Sequence, residues 1–263
     1  DACIEKAAGE GRTDGTLTLY RITARVVATE GLGGLLASEV RPDDVRRFLA
    51  WRRTHVGKRV KGTASASTLT RGTCSPGTLA RDRGLLASMF NWAVREGLLT
   101  SRPMQHVAGI KKTETPRRPF EPEEAREFLD ACDQYLRPLV LCGLYTGLGA
   151  SEVLSLRWRD VSFSRELIAV TRKKTGKLVE VPLHPHLADE LRALREAQVK
   201  AGRWRADGHA FLSRRGEPYR GYPRNLWRRT LERAGLERRG LNGPHCLRRT
   251  FASLYEGQIR DLQ

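Results

Sequence analysis

The chain has 263 residues, of which 47 are Lys or Arg and 30 are Asp or Glu, so its formal net charge is +17. This excess of positive charge favours a polyanionic partner; the alternative is a basic surface that is only solvated. No apolar run reaches the roughly 18 residues that a membrane-spanning helix needs. Five cysteines without a C-x-x-C pair argue against a disulfide framework or a zinc site. We therefore expect a cytoplasmic protein of one large or two smaller domains, with no membrane association and no metal.

The first 110 residues are predicted to be helical. Helical spacing of apolar residues indicates helices near Leu17–Thr29, Pro42–His55 and Gly77–Glu96. Pro42 suits a first helical turn, and the two aspartates after it suit the positive end of a helix dipole. The stretch 57–77 is rich in Gly, Ser and Thr and is typical of a flexible loop. Residues 1–110 are thus predicted to form a small helical domain.

Residues 111–119, KKTETPRRP, have the composition of a linker, with two prolines, four basic residues and no large apolar side chain. Two interpretations stay open here. The linker either follows a nucleic-acid backbone or is a basic spacer without a contact of its own. In the first interpretation its basic residues bind phosphate: Lys111, Lys112, Arg117 and Arg118.

Residues 120–263 are predicted to be mainly helical with one small antiparallel sheet. Helices are expected to begin at Glu121 and to span Leu136–Tyr145, Ala150–Leu156, Pro185–Ala201 and Asn225–Ala234. Two β-rich runs, Leu167–Val170 and Leu178–Leu183, flank a polar turn with Gly176 at its tip, which predicts a β-hairpin.

His245 and Arg248 form an H-x-x-R motif, in the string GPHCLRRTFA. Residues three apart share one face of a helix, so both side chains can reach the same phosphate. Pro244 suits the first turn of such a helix, where backbone amides favour an anion. The alternative is a capping histidine beside a surface arginine.

The most specific string is Thr146 to Val161, TGLGASEVLSLRWRDV. Together with the H-x-x-R motif it resembles the tyrosine recombinases, the phage integrase family. The resemblance implies a helical, SAM-like core-binding domain over 1–110, a linker, and a recombinase catalytic domain over 120–263. It also implies duplex DNA as the partner, a tetramer on paired sites in intact relatives, and DNA integration and recombination through a phosphotyrosyl intermediate, without a metal or cofactor.

The resemblance implies roles for individual residues. His245 would be the general acid/base or a phosphate donor, and Arg248 the second phosphate-clamping arginine. Lys174, in the hairpin turn, would protonate the leaving hydroxyl, although lysine is common in such turns and Lys173 or Lys177 fits almost as well. Arg172 and Lys173 would contact DNA.

Two features depart from the family pattern. Gly149 stands where the family has its first catalytic arginine, so Glu152, the acid that follows it and helps to hold it, is expected to lack its partner. The sequence given ends before the family's second His-or-Trp and its tyrosine nucleophile, and Tyr255 is a poor match for that tyrosine. We expect a truncated, catalytically impaired recombinase. The alternatives are a non-catalytic DNA-binding remnant or regulator and, from another class, an RNA-binding protein.

Overall fold

The computed structural model describes residues 2–29, 32–59, 67–111, 118–172, 175–237, 240–241 and 243–254. The chain divides into two compact units, Asp1–Glu114 and Thr115–Gln263. The predicted linker 111–119 spans this division, and residues 112–117 lie outside the described part. Within the described residues, no helix is both long and apolar enough to cross a membrane.

The first unit consists of helices and one β-hairpin. Ser75 begins the longest helix by accepting the N–H of Thr78 with its side chain at 3.2 Å, and Pro42 begins another at its first turn. The elements in chain order are α1 (Ala2–Gly9), α2 (Asp14–Thr29), α3 (Pro42–Arg53), β1 (His55–Arg59), β2 (Ser67–Arg71) and α4 (Pro76–Arg95).

The core of the first unit contains a buried ion pair beside its apolar residues. Val45 and Phe48 of α3 are buried together with Leu86 of α4. Arg52 of α3 donates through Nε to Asp82 of α4 at 3.0 Å, and both side chains are almost fully buried. The pair therefore ties two helices together at a place that water does not reach.

The second unit is also mainly helical, with a three-stranded antiparallel sheet in the order β3-β4-β5. The register pairs Ala169 with Glu180 at the centre of the β4–β5 hairpin. The elements are α5 (Pro122–Asp130), α6 (Arg137–Thr146), α7 (Ala150–Ser155), a 3-10 turn (Trp158–Asp160), β3 (Val161–Ser162), β4 (Leu167–Thr171), β5 (Leu178–Pro182), α8 (Pro185–Lys200), α9 (Arg224–Arg233) and α10 (His245–Leu254).

Helix α6 is the centre of the second core, because every residue from Pro138 to Thr146 is buried. Helix α10 packs against it so closely that a Cβ on Gly143 would lie 2.7 Å from Leu247 Cδ1. The backbone N–H of Phe120 donates to Thr250 Oγ1 at 2.8 Å, which fixes the start of the unit to α10. The position of α10 is thus set by its contacts with α6 and with Phe120.

The predicted fold class, mainly α with a small antiparallel sheet, is confirmed. The loop predicted over 57–77 is wrong in part, since residues 57–59 and 67–71 pair as β1 and β2; residues 60–66 lie outside the described part. The third predicted helix begins at Pro76, and the second ends at Arg53 because His55 starts β1. Helix α1 was not predicted. Strand pairing satisfies the backbone polar groups of 67–71, which composition alone did not indicate.

Candidate functional site

The loop 146–149, between α6 and α7, is the backbone around which the candidate site forms. Gly147 ends α6 in the left-handed conformation, with φ of +60°, and its N–H donates to Gly143 O at 3.1 Å. A Cβ at Gly147 would lie 2.4 Å from Phe251 Cδ1 of α10. Both the backbone conformation and the lack of space require glycine, so the loop lies directly against α10.

Arg248 of α10 is bound to this loop, donating from Nη1 to Gly147 O at 3.1 Å. The contact joins two motifs that are 101 residues apart in the sequence. Arg248 is exposed, whereas its neighbour Leu247 is buried against α6. One guanidinium nitrogen fixes the side chain to the loop, and its other donors stay available for an external anion.

His245 is the first residue of α10 and is exposed. Three residues before Arg248, it lies on the same face of the helix, as the motif predicts. Cys246, between them, points into the core, donates to Gly243 O, and has its thiol pKa raised to about 12 by burial. The thiol is therefore protonated at neutral pH and cannot serve as a nucleophile.

Gly149 is the N-cap of α7, with φ of −70° and ψ of 157°. Its N–H donates to Glu152 Oε2 at 2.6 Å. The other carboxylate oxygen, Oε1, lies 3.5 Å from Nε of Arg172, and the Glu152 side chain is 14% exposed. Glu152 has no arginine at position 149 to pair with, but the structure gives it another cation. Its partner is a cation from the far end of β4, which sequence reasoning had considered only as a DNA contact.

The β4–β5 turn holds the backbone of Arg172 in place. The N–H of Arg172 donates to Lys177 O at 2.9 Å, and its carbonyl accepts from Gly176 N at 2.8 Å. Gly176 has φ of +66°, as expected for a glycine in a tight turn. Lys173 and Lys174 lie outside the described residues, so the predicted leaving-group acid stays a prediction.

The basic residues predicted to contact DNA from the linker fall into three situations. Lys111 is exposed in the first unit, and Lys112 and Arg117 lie outside the described residues. Arg118 makes a two-point ion pair with Glu124, at 2.5 and 2.6 Å, which raises the pKa of the arginine. Its guanidinium fork is thus already occupied, and a phosphate would have to displace Glu124.

Four tyrosines and histidines away from the motifs have no catalytic arrangement: Tyr219, Tyr222, His184 and His186. Burial raises the pKa of Tyr219 to about 12 and that of Tyr222 further, so neither ionises readily. His184 begins α8 by accepting the N–H of His186 and stacks on Tyr145, with ring centroids 4.2 Å apart. Among the described residues no three His, Cys, Asp or Glu side chains are grouped as metal ligands. Tyr255 lies outside them.

The segment that contains the whole candidate site matches a known family. Residues 118–262, more than half of the chain, match the model of the phage integrase family. The chain belongs to that family.

Individual relatives agree with this membership. Tyrosine recombinase XerC of Xanthomonas campestris pv. campestris is 28% identical over 200 residues, covering 72% of this chain and 59% of the relative. The matched segments span 25% to 59% of the curated relatives, so less than two thirds of their length is represented.

Two solved structures of lambda integrase have the same fold. A dimer of its residues 75–356 bound to a core site has a TM-score of 0.73 at 19% identity, covering 99% of this chain and 90% of that one. A tetramer bound to a Holliday junction has a TM-score of 0.73 at 20% identity, covering 100% and 71%.

Proposed function

We propose that the chain binds duplex DNA as a tyrosine-type recombinase, with a site that holds a phosphodiester between α10 and the 146–149 loop. The observation that supports this most is the contact of Arg248 with Gly147 O, because it joins two motifs of the family-matched segment. An exposed arginine and an exposed histidine on one helical face suit a phosphate that carries charge on its equatorial oxygens.

Each motif residue then has a distinct role. Arg248 clamps the phosphate, His245 donates to it or transfers a proton, and Lys174 protonates the 5′-oxygen that leaves as the family's tyrosine oxygen bonds to phosphorus. The charge distribution fits a phosphate-rich partner, since residues 201–263 contain 14 Arg, no Lys and 6 acids, a net of 14 − 6 = +8. The lambda integrase dimer bound to a core site supports duplex DNA as the partner. The lambda integrase tetramer bound to a Holliday junction supports self-association on DNA.

Gly149 is the reason to propose impaired strand cleavage. It supplies no side chain where the family has its first catalytic arginine. Losing one preorganised donor to a developing negative charge typically costs about 3–4 kcal/mol, which is on the order of a thousandfold in rate. The site should therefore retain DNA binding and cleave slowly. A binder or regulator without any cleavage activity is the second candidate, favoured by the same glycine.

Two measurements test this function. Competition of unlabelled duplex DNA and structured RNA against a labelled duplex should show preference for the duplex; stronger competition by RNA would reject the proposal. Incubation with a nicked duplex should give little covalent adduct for the wild type and more for Gly149→Arg, when both carry a C-terminal extension that supplies the family's tyrosine. Equal adduct from both would contradict impairment, and none from Gly149→Arg would favour the non-catalytic binder.

A further inference from the structure

Arg172 and Glu152 form an ion pair beside Gly149, the residue that stands where the family has its first catalytic arginine. Building on the proposed function, we infer that Arg172 replaces the arginine missing at position 149 as the second phosphate-binding cation of the site. It reaches the same carboxylate from the β4–β5 turn instead of from α7. Glu152 thereby still pairs with an arginine, but this arginine comes from the end of β4 and not from position 149.

The orientation of Arg172 suits this role. Its Nε is buried 3.5 Å from Glu152 Oε1 and has no hydrogen-bond partner among the described residues, while the side chain as a whole is 34% exposed. Nε therefore lies close to the carboxylate without a hydrogen bond to it, and part of the side chain is exposed. A guanidinium has five donors in a fork, so one edge can face a carboxylate while the other binds an anion.

Arg248 contacts the loop 146–149, which also contains Gly149. It donates to Gly147 O, whereas Glu152, which faces Arg172, accepts the N–H of Gly149. Arg248 is thus bound directly to the backbone of the loop, and Arg172 lies beside the carboxylate that accepts the N–H of Gly149, two residues further on. Two cations anchored around one loop form a binding site for a phosphate, with Glu152 compensating part of their mutual repulsion.

The geometry of Gly149 indicates that Arg172 and an arginine at position 149 would be alternative partners of Glu152. Its φ and ψ are allowed for any residue, and a Cβ there would meet only the Glu152 side chain, with Oε2 at 3.2 Å. An arginine at position 149 can therefore be accommodated, but it would compete with Arg172 for a single carboxylate. The effects of substitutions at 149 and 172 should consequently depend on each other.

A double-mutant cycle on the full chain tests this dependence. The probe is a short labelled duplex of random sequence, and its affinity is measured at one fixed salt concentration. Arg172→Ala should weaken binding by about fivefold to tenfold, the effect of losing one phosphate contact. In the Gly149→Arg background the same substitution should change affinity by less than about twofold, because the introduced arginine then occupies the site.

The matched control is Arg165→Ala in the turn between β3 and β4. Arg165 is 69% exposed and faces Glu180 at 4.0 Å, so its removal takes away the same charge at a different place. An equal loss of affinity in Arg165→Ala and Arg172→Ala would overturn the inference, as would an equal loss from Arg172→Ala in both backgrounds. Absence of duplex binding by the wild type would instead reject the proposed function.

Thermal melting of every variant separates binding from folding. If Arg172→Ala does not fold, Arg172→Lys provides the same cycle, because lysine keeps the charge near Glu152 but lacks the fork. With Gly149 present, Arg172→Lys should bind less tightly than the wild type. In the Gly149→Arg background it should bind as tightly as Gly149→Arg alone. An unchanged affinity of Arg172→Lys with Gly149 present would also contradict the assigned role.

Discussion

Arg248 donates to the carbonyl of Gly147 at 3.1 Å, and that glycine has the one backbone conformation that lets the loop lie against α10. Arg248 and the loop it binds are therefore one packing unit. A substitution that moves α10 away from α6 would also break the hydrogen bond from Arg248 to Gly147 O. Stability and DNA affinity should be coupled at this point of the molecule.

Gly147→Ala should destabilise the second unit more than Gly176→Ala does. Both glycines have positive φ, at +60° and +66°, but only at Gly147 would a Cβ meet another residue, Phe251 at 2.4 Å. The shared backbone strain costs about 1–2 kcal/mol. The clash adds about 1–3 kcal/mol at Gly147 alone. Urea denaturation of both variants measures the difference, and equal losses would show that the contact with Phe251 is unimportant.

Glu152→Ala should cost stability as well as DNA affinity, because the carboxylate accepts the N–H of Gly149 at the start of α7. Loss of such a cap costs about 1 kcal/mol. Glu180→Ala is the control: Glu180 is 53% exposed and its nearest cation, Arg165, is 4.0 Å away. An exposed pair of that kind contributes about 0–1 kcal/mol. Denaturation midpoints that move equally in both variants would contradict the capping role.

Asp82→Ala should be among the most damaging substitutions in the first unit. It leaves Arg52 buried without its carboxylate, and breaking a buried pair in this way costs about 3–5 kcal/mol. Asp43→Ala removes a pair with Arg46 in which the aspartate is 81% exposed, and should cost about 0.5 kcal/mol or less. Unfolding of the two variants, followed by circular dichroism, checks the contrast. A mild effect of Asp82→Ala would mean that Arg52 reaches solvent.

The stability of the second unit should fall as the pH drops below the ordinary histidine range. Burial, and then the charge of His186, lower the pKa of His184 in the folded state. The unfolded chain therefore binds a proton at higher pH than the folded one. The contribution of His184 is complete above the unfolded pKa of about 6.5 and is lost as the pH falls through the lower folded value.

His184→Asn isolates this effect, because asparagine also caps helices but does not titrate. Urea denaturation of wild type and variant should show a smaller loss of unfolding free energy in the variant between about pH 7.5 and about pH 5. Identical pH profiles would mean that other groups account for the dependence.

The sequence predicted features that depend on local patterns. The helices around the motifs, the β4–β5 hairpin with Gly176 in its turn, and the shared face of His245 and Arg248 all follow from spacing or turn chemistry. These preferences act over a few residues and can be read without the fold.

Contacts between distant segments were not predicted. The pairing of Arg172 with Glu152 depends on how the fold brings the end of β4 close to α7, which no local pattern encodes. The engagement of Arg118 by Glu124 was missed because a basic linker indicates charge but not which acids the next helix presents. The β1–β2 hairpin was missed because the Gly, Ser and Thr content of this stretch resembles a loop, while backbone pairing stabilises it.

The salt dependence of duplex binding tests most directly whether the basic site binds DNA phosphates. The logarithm of the binding constant should fall steeply and linearly with the logarithm of salt concentration, by about 0.9 for each phosphate contact. Arg248→Ala should lower the slope by about one contact. A binding constant that does not change with salt would contradict phosphate recognition, and with it the proposed function of the Arg248 site.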